Sequence, residues 1–315
     1  MKIAIILCYF GNLNANGYFR EFLTSCKGNR GVTFFIVTDD TTEYSYPDNV
    51  QVTRLSFHAL REKLQALYDF PISLESPYKL CDFKVAYGEL FADELGSYDY
   101  WGYMDNDVVW GDLRAFLTDE VLEAYDKLYT LGHLTLFRNV PEITSLYRNR
   151  LESGYNTDFK RAFSAPDIFA IDEWGRDGGI NRIFRTAGKM VYNAYDFDDV
   201  SFFHTAFRPE QKRHNPPYYE IRKSLYAYDG CKLWRIANSY GEIWPEEVAY
   251  THFQKRSLAN TLEGAHDRFL IVPDRFIPYH EPEIADFEKM AADKPLYKKM
   301  FDRRLRRVMS RLSRK

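Results

Sequence analysis

"YDYWGYMDNDVVWG", Tyr98–Gly111, decides how this chain folds. An aromatic, apolar run enters two aspartates one residue apart and turns apolar again at once. In extended backbone, residues two apart point to the same side, so Asp105 and Asp107 can converge on one cation. Carboxylate oxygens in that arrangement select a hard divalent ion such as Mg²⁺ or Mn²⁺, which keeps places for phosphate oxygens. A solvated turn after a strand is the plainer reading of a lone Asp-x-Asp. The apolar flanks on both sides, Tyr100–Met104 and Val108–Trp110, favour a ligand site at a buried strand end.

Working outward, "KIAIILCYF" is a continuous apolar run that stops at Gly11-Asn12, as a central strand buried on both faces would. A helical segment follows from about Gly17 to Cys26, then "VTFFIVTDD", a second buried strand ending at Asp39-Asp40. "VQVTRLSF" is a shorter third strand. "KLCDFKVAYGELFADEL", Lys79–Leu95, has helical periodicity with Leu80, Phe83, Val85 and Leu90 inward. Strands alternating with helices predict an α/β fold with a largely parallel sheet, whose ligands bind beyond the carboxyl ends of its strands. The second half is less regular. "KLYTLGHLTLFRN" reads as strand and loop, Pro141 to Phe163 as helical, and "DIFAIDEWGRDGGINRIF" as a strand-like entry, an acidic turn and a helix. Asp229-Gly230 marks a hairpin.

The hydrophobic share, 45%, and the aromatic share, 17%, exclude a disordered chain. The net charge of −3 hides an asymmetry: Lys298–Lys315 holds nine Lys/Arg and one Asp, a local +8, which leaves −11 for the remainder. A mildly acidic body argues against nucleic-acid binding and the basic end for an anionic partner. Phe301, Leu305, Val308 and Leu312 fall on one helical face among arginines, the pattern of a basic amphipathic helix drawn to an anionic membrane surface. The four cysteines show no CxxC or paired framework and read as reduced thiols of a cytoplasmic protein. The apolar N-terminus is broken by Gly and Asn too early for a signal peptide, and no run approaches the ~20 apolar residues of a membrane span.

Further stretches carry candidate chemistry. In "THFQKR", His252 can supply a nitrogen to the metal while Lys255 and Arg256 meet a diphosphate. In "YKLCDFK", Lys79, Asp82 and Lys84 recur at helical spacing as a polar edge toward a nucleotide. "DEWGRDGG" offers Asp172 and Glu173 as general bases beside a glycine-rich turn. His133, Arg138 and Asn139 of "GHLTLFRN" are further candidates for sugar hydroxyls.

Taken in order, these stretches resemble the bacterial polysaccharide glycosyltransferases of GT-A fold that contribute to capsule and O-antigen (lipopolysaccharide) synthesis. The resemblance spans Met1 to Pro278. It implies a Rossmann-like mixed sheet flanked by helices as a single catalytic domain over 1–285, with a nucleotide-binding half at 1–115, an acceptor-side half at 116–285 and the basic tail at 286–315. It further implies Mn²⁺ or Mg²⁺ held by Asp105, Asp107 and His252 against the diphosphate of a nucleotide sugar, most often a UDP-sugar. Lys255 would touch the diphosphate; Tyr9, Asn12, Asp39 and Asp82 would line the nucleoside pocket, with Lys79, Lys84 and Asn106 nearby. Asp172 or Glu173 would face the hydroxyl of a glycan or lipid-linked acceptor. An inverting course, with one of them as base, is favoured over a retaining one in which the pair positions the acceptor, and the basic tail fits a lipid-linked acceptor at the inner face of the cell membrane. Two other readings stand beside it. "YMDNDVV" also satisfies the DxDx(T/V) nucleophile motif of haloacid-dehalogenase-type phosphatases, although that motif usually lies on the first strand. A non-catalytic, metal-dependent glycan-binding protein would equally use the aromatic residues.

Overall fold

The computed structural model describes residues 1–151, 156–173, 178–209, 223–239, 241–290 and 292–296. In chain order the strands are β1 Ile3–Tyr9, β2 Val32–Thr38, β3 Val50–Arg54, β4 Tyr100–Met104, β5 Val108–Trp110, β6 Lys127–Leu131, β7 Leu134–Arg138, β8 Val191–Tyr192, β9 Asp198–Asp199, β10 Lys223–Tyr228, β11 Leu233–Ser239, β12 Glu242–Val248, β13 Tyr250–His252, β14 Ala259–Asn260, β15 Phe269–Val272 and β16 Arg275–Pro278. The chain divides into two compact units. The first comprises Met1–Asn14, Cys26–Asn106 and Leu113–Ala194; the second, Ala15–Ser25, Asp107–Asp112 and Tyr195–Lys315.

The first unit is built on a mixed sheet of order β3-β2-β1-β4-β7-β6-β8. β1 pairs in parallel with β2 and with β4, and β2 in parallel with β3, whereas β7 runs antiparallel to β4. The parallel strands expected from the first hundred residues are therefore present, and the antiparallel β7 makes the sheet mixed, as the family resemblance implied. β1 stands at the point where the order of parallel strands reverses, so the carboxyl ends of β1 and β4 flank a topological switch point. The antiparallel return of β7 adds the turn between β6 and β7 to that same edge, because Leu134 pairs with Met104. What the sequence suggests as strand and loop is thus a two-strand hairpin.

β4 is buried at every residue, which accounts for its aromatic composition. Trp101 stacks on Phe137 at a centroid distance of 4.7 Å and lies against the backbone of Gly88, where a β-carbon would sit 2.3 Å from the indole. The run from Pro77 to Leu95 is a succession of short α and 3₁₀ turns rather than one helix. Leu80, Phe83, Tyr87 and Leu95 nevertheless join the core with Trp101, Tyr103, Phe163 and Phe184. Of the expected helix from Pro141 to Phe163, the described residues show Pro141–Thr144, Leu146–Arg148 and Phe159–Ser164. The entry at Ile168–Ile171 forms no strand, and the helix after it is Gly179–Thr186.

The second unit contains a sheet of order β12-β11-β10-β15-β16-β14 and a small sheet of order β5-β13-β9. The predicted hairpin is the antiparallel pair β10–β11, with Tyr228 opposite Leu233 across Asp229-Gly230. A core of Tyr226, Tyr228, Leu233, Val248, Phe253, Phe269 and Phe276 fills this unit. In the small sheet β13 lies antiparallel to β5 and parallel to β9. No helix among the described residues is long and apolar enough to cross a membrane. The basic amphipathic face at Phe301–Leu312 lies outside the described residues.

Candidate functional site

In the first unit, the edge holding the ends of β1, β2 and β4 gathers most of the sequence-predicted residues. Tyr9 ends β1 beside Thr38. Asp39, next after β2, accepts from the backbone N–H of Gly11 at 2.7 Å, and Asp40 from Leu13 at 2.8 Å. Gly11 adopts φ +106°, a left-handed conformation that a β-carbon would strain. Asn12 caps its own turn by accepting from the N–H of Asn14 at 2.8 Å. Asn106, buried, donates to the Leu13 carbonyl at 3.3 Å and so ties the end of β4 to the loop after β1. Two parallel strand ends are thereby joined through a loop fixed by carboxylates.

Asp105 follows β4, its amide bonded to the His133 carbonyl at 3.2 Å. Its carboxylate meets the Lys84 ammonium at 2.6 Å. Lys84, buried, also donates to the Gly132 carbonyl at 2.8 Å and lies 3.5 Å from Asp172 Oδ2. Burial alone would lower the affinity of Lys84 for its proton, but Asp105 and then Asp172 outweigh it and hold the ammonium charged. Asp172 responds oppositely: burial pushes its carboxyl up to about 8, against the pull of Lys84 and with help from Glu173 and Asp105. The lysine is committed to Asp105 at the shorter distance, so Asp172 receives only a partial counter-charge. Asp172 Oδ1 is buried with no hydrogen-bond partner. Glu173, beside it, is exposed.

Gly132 makes this approach possible, since a β-carbon there would stand 2.6 Å from Asp172 Oδ2 and 3.2 Å from Glu173 Oε2. Gly132→Ala is expected to displace Asp172 from Lys84 and to cost about 1–3 kcal/mol, the range for overpacking a filled interior. Urea unfolding of the purified variant measures it, and an unchanged midpoint would contradict the packing just described.

In the second unit, Asp107 precedes β5 and is buried to 3% exposure. Its Oδ1 lies 3.3 Å from His252 Nε2, its Oδ2 accepts from the N–H of Lys255, and its carbonyl accepts from Phe253 at 2.9 Å. Burial would raise the Asp107 carboxyl, yet His252 and the Lys255 amide hold it well below the usual carboxylate range. Burial would likewise lower His252, but Asp107 and Asp199 raise it far above its ordinary value. Asp199 Oδ1 accepts from His252 Nδ1 at 2.8 Å and from Gln254 Nε2 at 2.7 Å. The arrangement is carboxylate–imidazole–carboxylate, with the imidazole aimed by the outer acid. Asp199 was missed by sequence reasoning; its only signal is the doubled acid of "FDDV", which parallel pairing of β9 with β13 brings beside His252. Gln254 and Lys255 both carry positive φ, +48° and +61°, in the turn that closes over Asp107.

Several sequence-predicted roles change. Lys79 and Asp82 form a buried ion pair at 2.6 Å rather than an exposed polar edge, because both point into the first unit's interior. Arg256 faces no open site: its guanidinium donates to the carbonyls of Ser201, His204, Thr205 and Pro273. Arg138 and Asn139 stand at the opposite sheet edge from Asp105, since β7 is antiparallel and Arg138 pairs with Tyr100. Arg138 donates to the carbonyls of Leu122, Glu123 and Tyr125, and Asn139 to those of Leu95 and Tyr98. All four cysteines carry free thiols, and burial pushes that of Cys8 up to about 12.

The strand-end acids just described fall within residues 5–280, which match a single family model. The chain belongs to the family of unknown function DUF6625. No curated protein matches this DUF6625 chain. Among solved structures, the galactosyltransferase LgtC in complex with donor and acceptor sugar analogs is similar over 81% of this chain and 87% of its own, at 12% identity and a TM-score of 0.36. An active-site mutant of LgtC gives the same coverages at 13% identity and a TM-score of 0.38. The apo-form glycosyltransferase GlyE of Streptococcus pneumoniae TIGR4 covers 44% of this chain and 34% of its own, at 12% identity and a TM-score of 0.24. Superpositions at these scores assign no chemistry to the DUF6625 chain.

Proposed function

We propose that this protein is a metal-dependent glycosyltransferase of GT-A type, moving a sugar from a nucleotide sugar, most simply a UDP-sugar, to a hydroxyl of a lipid-linked or polysaccharide acceptor. The observation that carries the reading is the buried Asp107–His252–Asp199 array. Two carboxylates close on one imidazole, Asp107 at 3.3 Å and Asp199 at 2.8 Å, so this position favours positive charge. The carboxylate oxygens suit Mn²⁺ or Mg²⁺, with the imidazole nitrogen as a further ligand. Asp107 and His252 would hold the ion, Asp105, two residues earlier in the chain, would add a carboxylate, and Asp199 would keep His252 Nε2 turned toward it. The ion would neutralise the charge that develops on a leaving nucleoside diphosphate.

The chain's own residues supply the remaining steps. Tyr9 at the end of β1, with Asn12, Asp39 and Asn106 on the segments that follow β1, β2 and β4, would border the nucleoside. Lys84 keeps Asp105 in place, and Lys255 would approach the diphosphate. Asp172 and Glu173 are neighbouring acids in unlike surroundings, one buried and biased toward its protonated form, the other exposed. Such a pair suits acid–base work on an acceptor hydroxyl. An inverting course follows if one of them takes the hydroxyl proton from the face opposite the leaving group. The tail beyond Lys298 would bring the enzyme to the anionic inner face of the membrane, where a lipid-linked acceptor of capsule or O-antigen synthesis is found.

Calorimetric titration with UDP, and GDP as control, in Mn²⁺ and then in EDTA tests the reading. UDP binding that vanishes with EDTA is expected. A protein that binds neither nucleotide but hydrolyses p-nitrophenyl phosphate would overturn it in favour of a phosphatase.

A further inference from the structure

Lys79 and Asp82 are three residues apart in one helical turn and both are almost fully buried. The Lys79 ammonium contacts Asp82 Oδ2 at 2.6 Å and donates to the carbonyls of Ala162, at 2.7 Å, and Asp167. The Asp82 carboxylate accepts from the N–H of Phe169, at 3.1 and 3.0 Å to its two oxygens, and from that of Ile171 at 3.3 Å. The segment these bonds hold, from residue 165 to Asp172, forms neither helix nor strand. Backbone polar groups in such a segment have no ladder to satisfy them. The ion pair does the work of a neighbouring strand, with charge-assisted bonds roughly twice as strong as neutral ones.

Ala170 lies between the two bonded amides with φ +49°. A non-glycine residue is strained there, and such strain persists only where the surroundings over-determine it. One carboxylate grips the residues on both sides of the strained alanine. Immediately beyond, the Asp172 carbonyl accepts from the Tyr103 hydroxyl at 3.0 Å and the Asp172 carboxyl faces Lys84.

We propose that Lys79 and Asp82 are positioning residues for the acidic turn: their buried ion pair clamps both flanks of Ala170 and so fixes where Asp172 and Glu173 stand. The proposal rests on the reading of Asp172 and Glu173 as the acid–base pair. An ion pair at this depth adds little net stability over apolar side chains of similar size. Apolar side chains, however, cannot bond the amides of Phe169 and Ile171.

The test uses the full chain with Lys79→Met/Asp82→Leu, which removes both charges together, and Ala170→Gly, which leaves them in place and relieves the strain. Amide exchange in deuterium oxide, with no ligand present, should show protection at Phe169 and Ile171 falling at least tenfold in the double variant. The β1 amides of Ile5 and Leu7 should be unchanged. UDP affinity in Mn²⁺ should stay within twofold in both variants, while turnover of a UDP-sugar falls at least tenfold at an unchanged donor KM in the double variant and stays within twofold in Ala170→Gly, whose clamp is intact. Unchanged protection in the double variant, or UDP affinity and turnover falling in parallel, would overturn the proposal. If the double variant does not fold, Asp82→Asn decides, since it removes the charge that pairs with Lys79 at little change of shape, and undiminished turnover with unchanged protection at Phe169 and Ile171 there is the negative result. Wild-type protein that binds no UDP would defeat the glycosyltransferase reading instead, and the exchange comparison would still decide the clamp.

Discussion

Asp107→Ala is expected to abolish Mn²⁺-dependent UDP binding and to lower the stability of the ligand-free protein. Two causes act together. The variant loses the carboxylate that would carry charge to the cation, and it strands His252, whose Nε2 lies 3.3 Å from Asp107 Oδ1. Removing one partner of a buried ion pair typically costs about 3–5 kcal/mol, because the other is left uncompensated. Here Asp199 retains its contact with His252 Nδ1, so the lower end of that range applies. The sign with pH follows from the direction of the shift. Asp107 is held below the ordinary carboxylate range in the folded protein, so its contribution is complete at neutral pH. It is lost as pH falls through the ordinary carboxylate range and below. The gap between wild type and Asp107→Ala in urea midpoint should therefore narrow from pH 7 toward pH 3. Asp107→Asn, which keeps the shape and the Lys255 amide contact, should recover part of the stability but none of the metal-dependent binding. Calorimetry in which Asp107→Ala binds UDP as wild type does would remove the metal-site reading.

The first half of the chain was legible because its signals are local. The unbroken apolar runs of β1 and β2 mark strands buried on both faces, and the acids that follow them mark strand ends, so the sheet edge carrying Tyr9, Asn12, Asp39 and Asp105 could be written down in order. What stayed hidden depends on which charges are buried. Lys79, Lys84 and Lys127 are all within the interior, whereas helical spacing puts Lys79 and Lys84 on a polar edge and nothing in the sequence marks Lys127 as buried. Lys127 is held by Asn181 Oδ1 at 2.7 Å across 54 residues of chain, and burial drives its proton affinity well below the ordinary lysine value. No pattern within a short window reports such a partner. Asp199 was hidden likewise, since its approach to His252 depends on two short strands, β9 and β13, separated by about fifty residues. The roles given to Arg138 and Asn139 failed for a topological reason: the direction of β7 decides which sheet edge receives its end, and composition does not carry direction.

Lys84→Met should be strongly destabilising, and its cost should depend on pH. In wild type the ammonium serves three acceptors, Asp105 at 2.6 Å, Gly132 O at 2.8 Å and Asp172 at 3.5 Å. Asp105, whose side chain is 37% exposed, can turn to water when the cation is gone; Asp172, at 4%, cannot. Asp172 already has its carboxyl raised to about 8, so between the ordinary carboxylate range and about 8 the folded protein binds more protons there than the unfolded chain. Stability must therefore fall as pH rises through that window. Without Lys84 the carboxyl moves higher still and the fall continues beyond it. A loss of about 3–5 kcal/mol, as for a broken buried pair, is expected at pH 9, with a smaller loss at pH 5, where Asp172 is protonated. Asp172→Asn should erase its own share of the slope and be more stable than wild type at pH 9 by at least about 1 kcal/mol, the worth of one pKa unit. The double variant Lys84→Met/Asp172→Asn should lose less than the sum of the two single changes predicts, since the methionine no longer leaves a buried carboxylate behind. Urea midpoints of the four proteins at both pH values measure all of this. A pH slope in Asp172→Asn equal to that of wild type would mean that the proton on Asp172 is not what couples this acidic turn to Lys84.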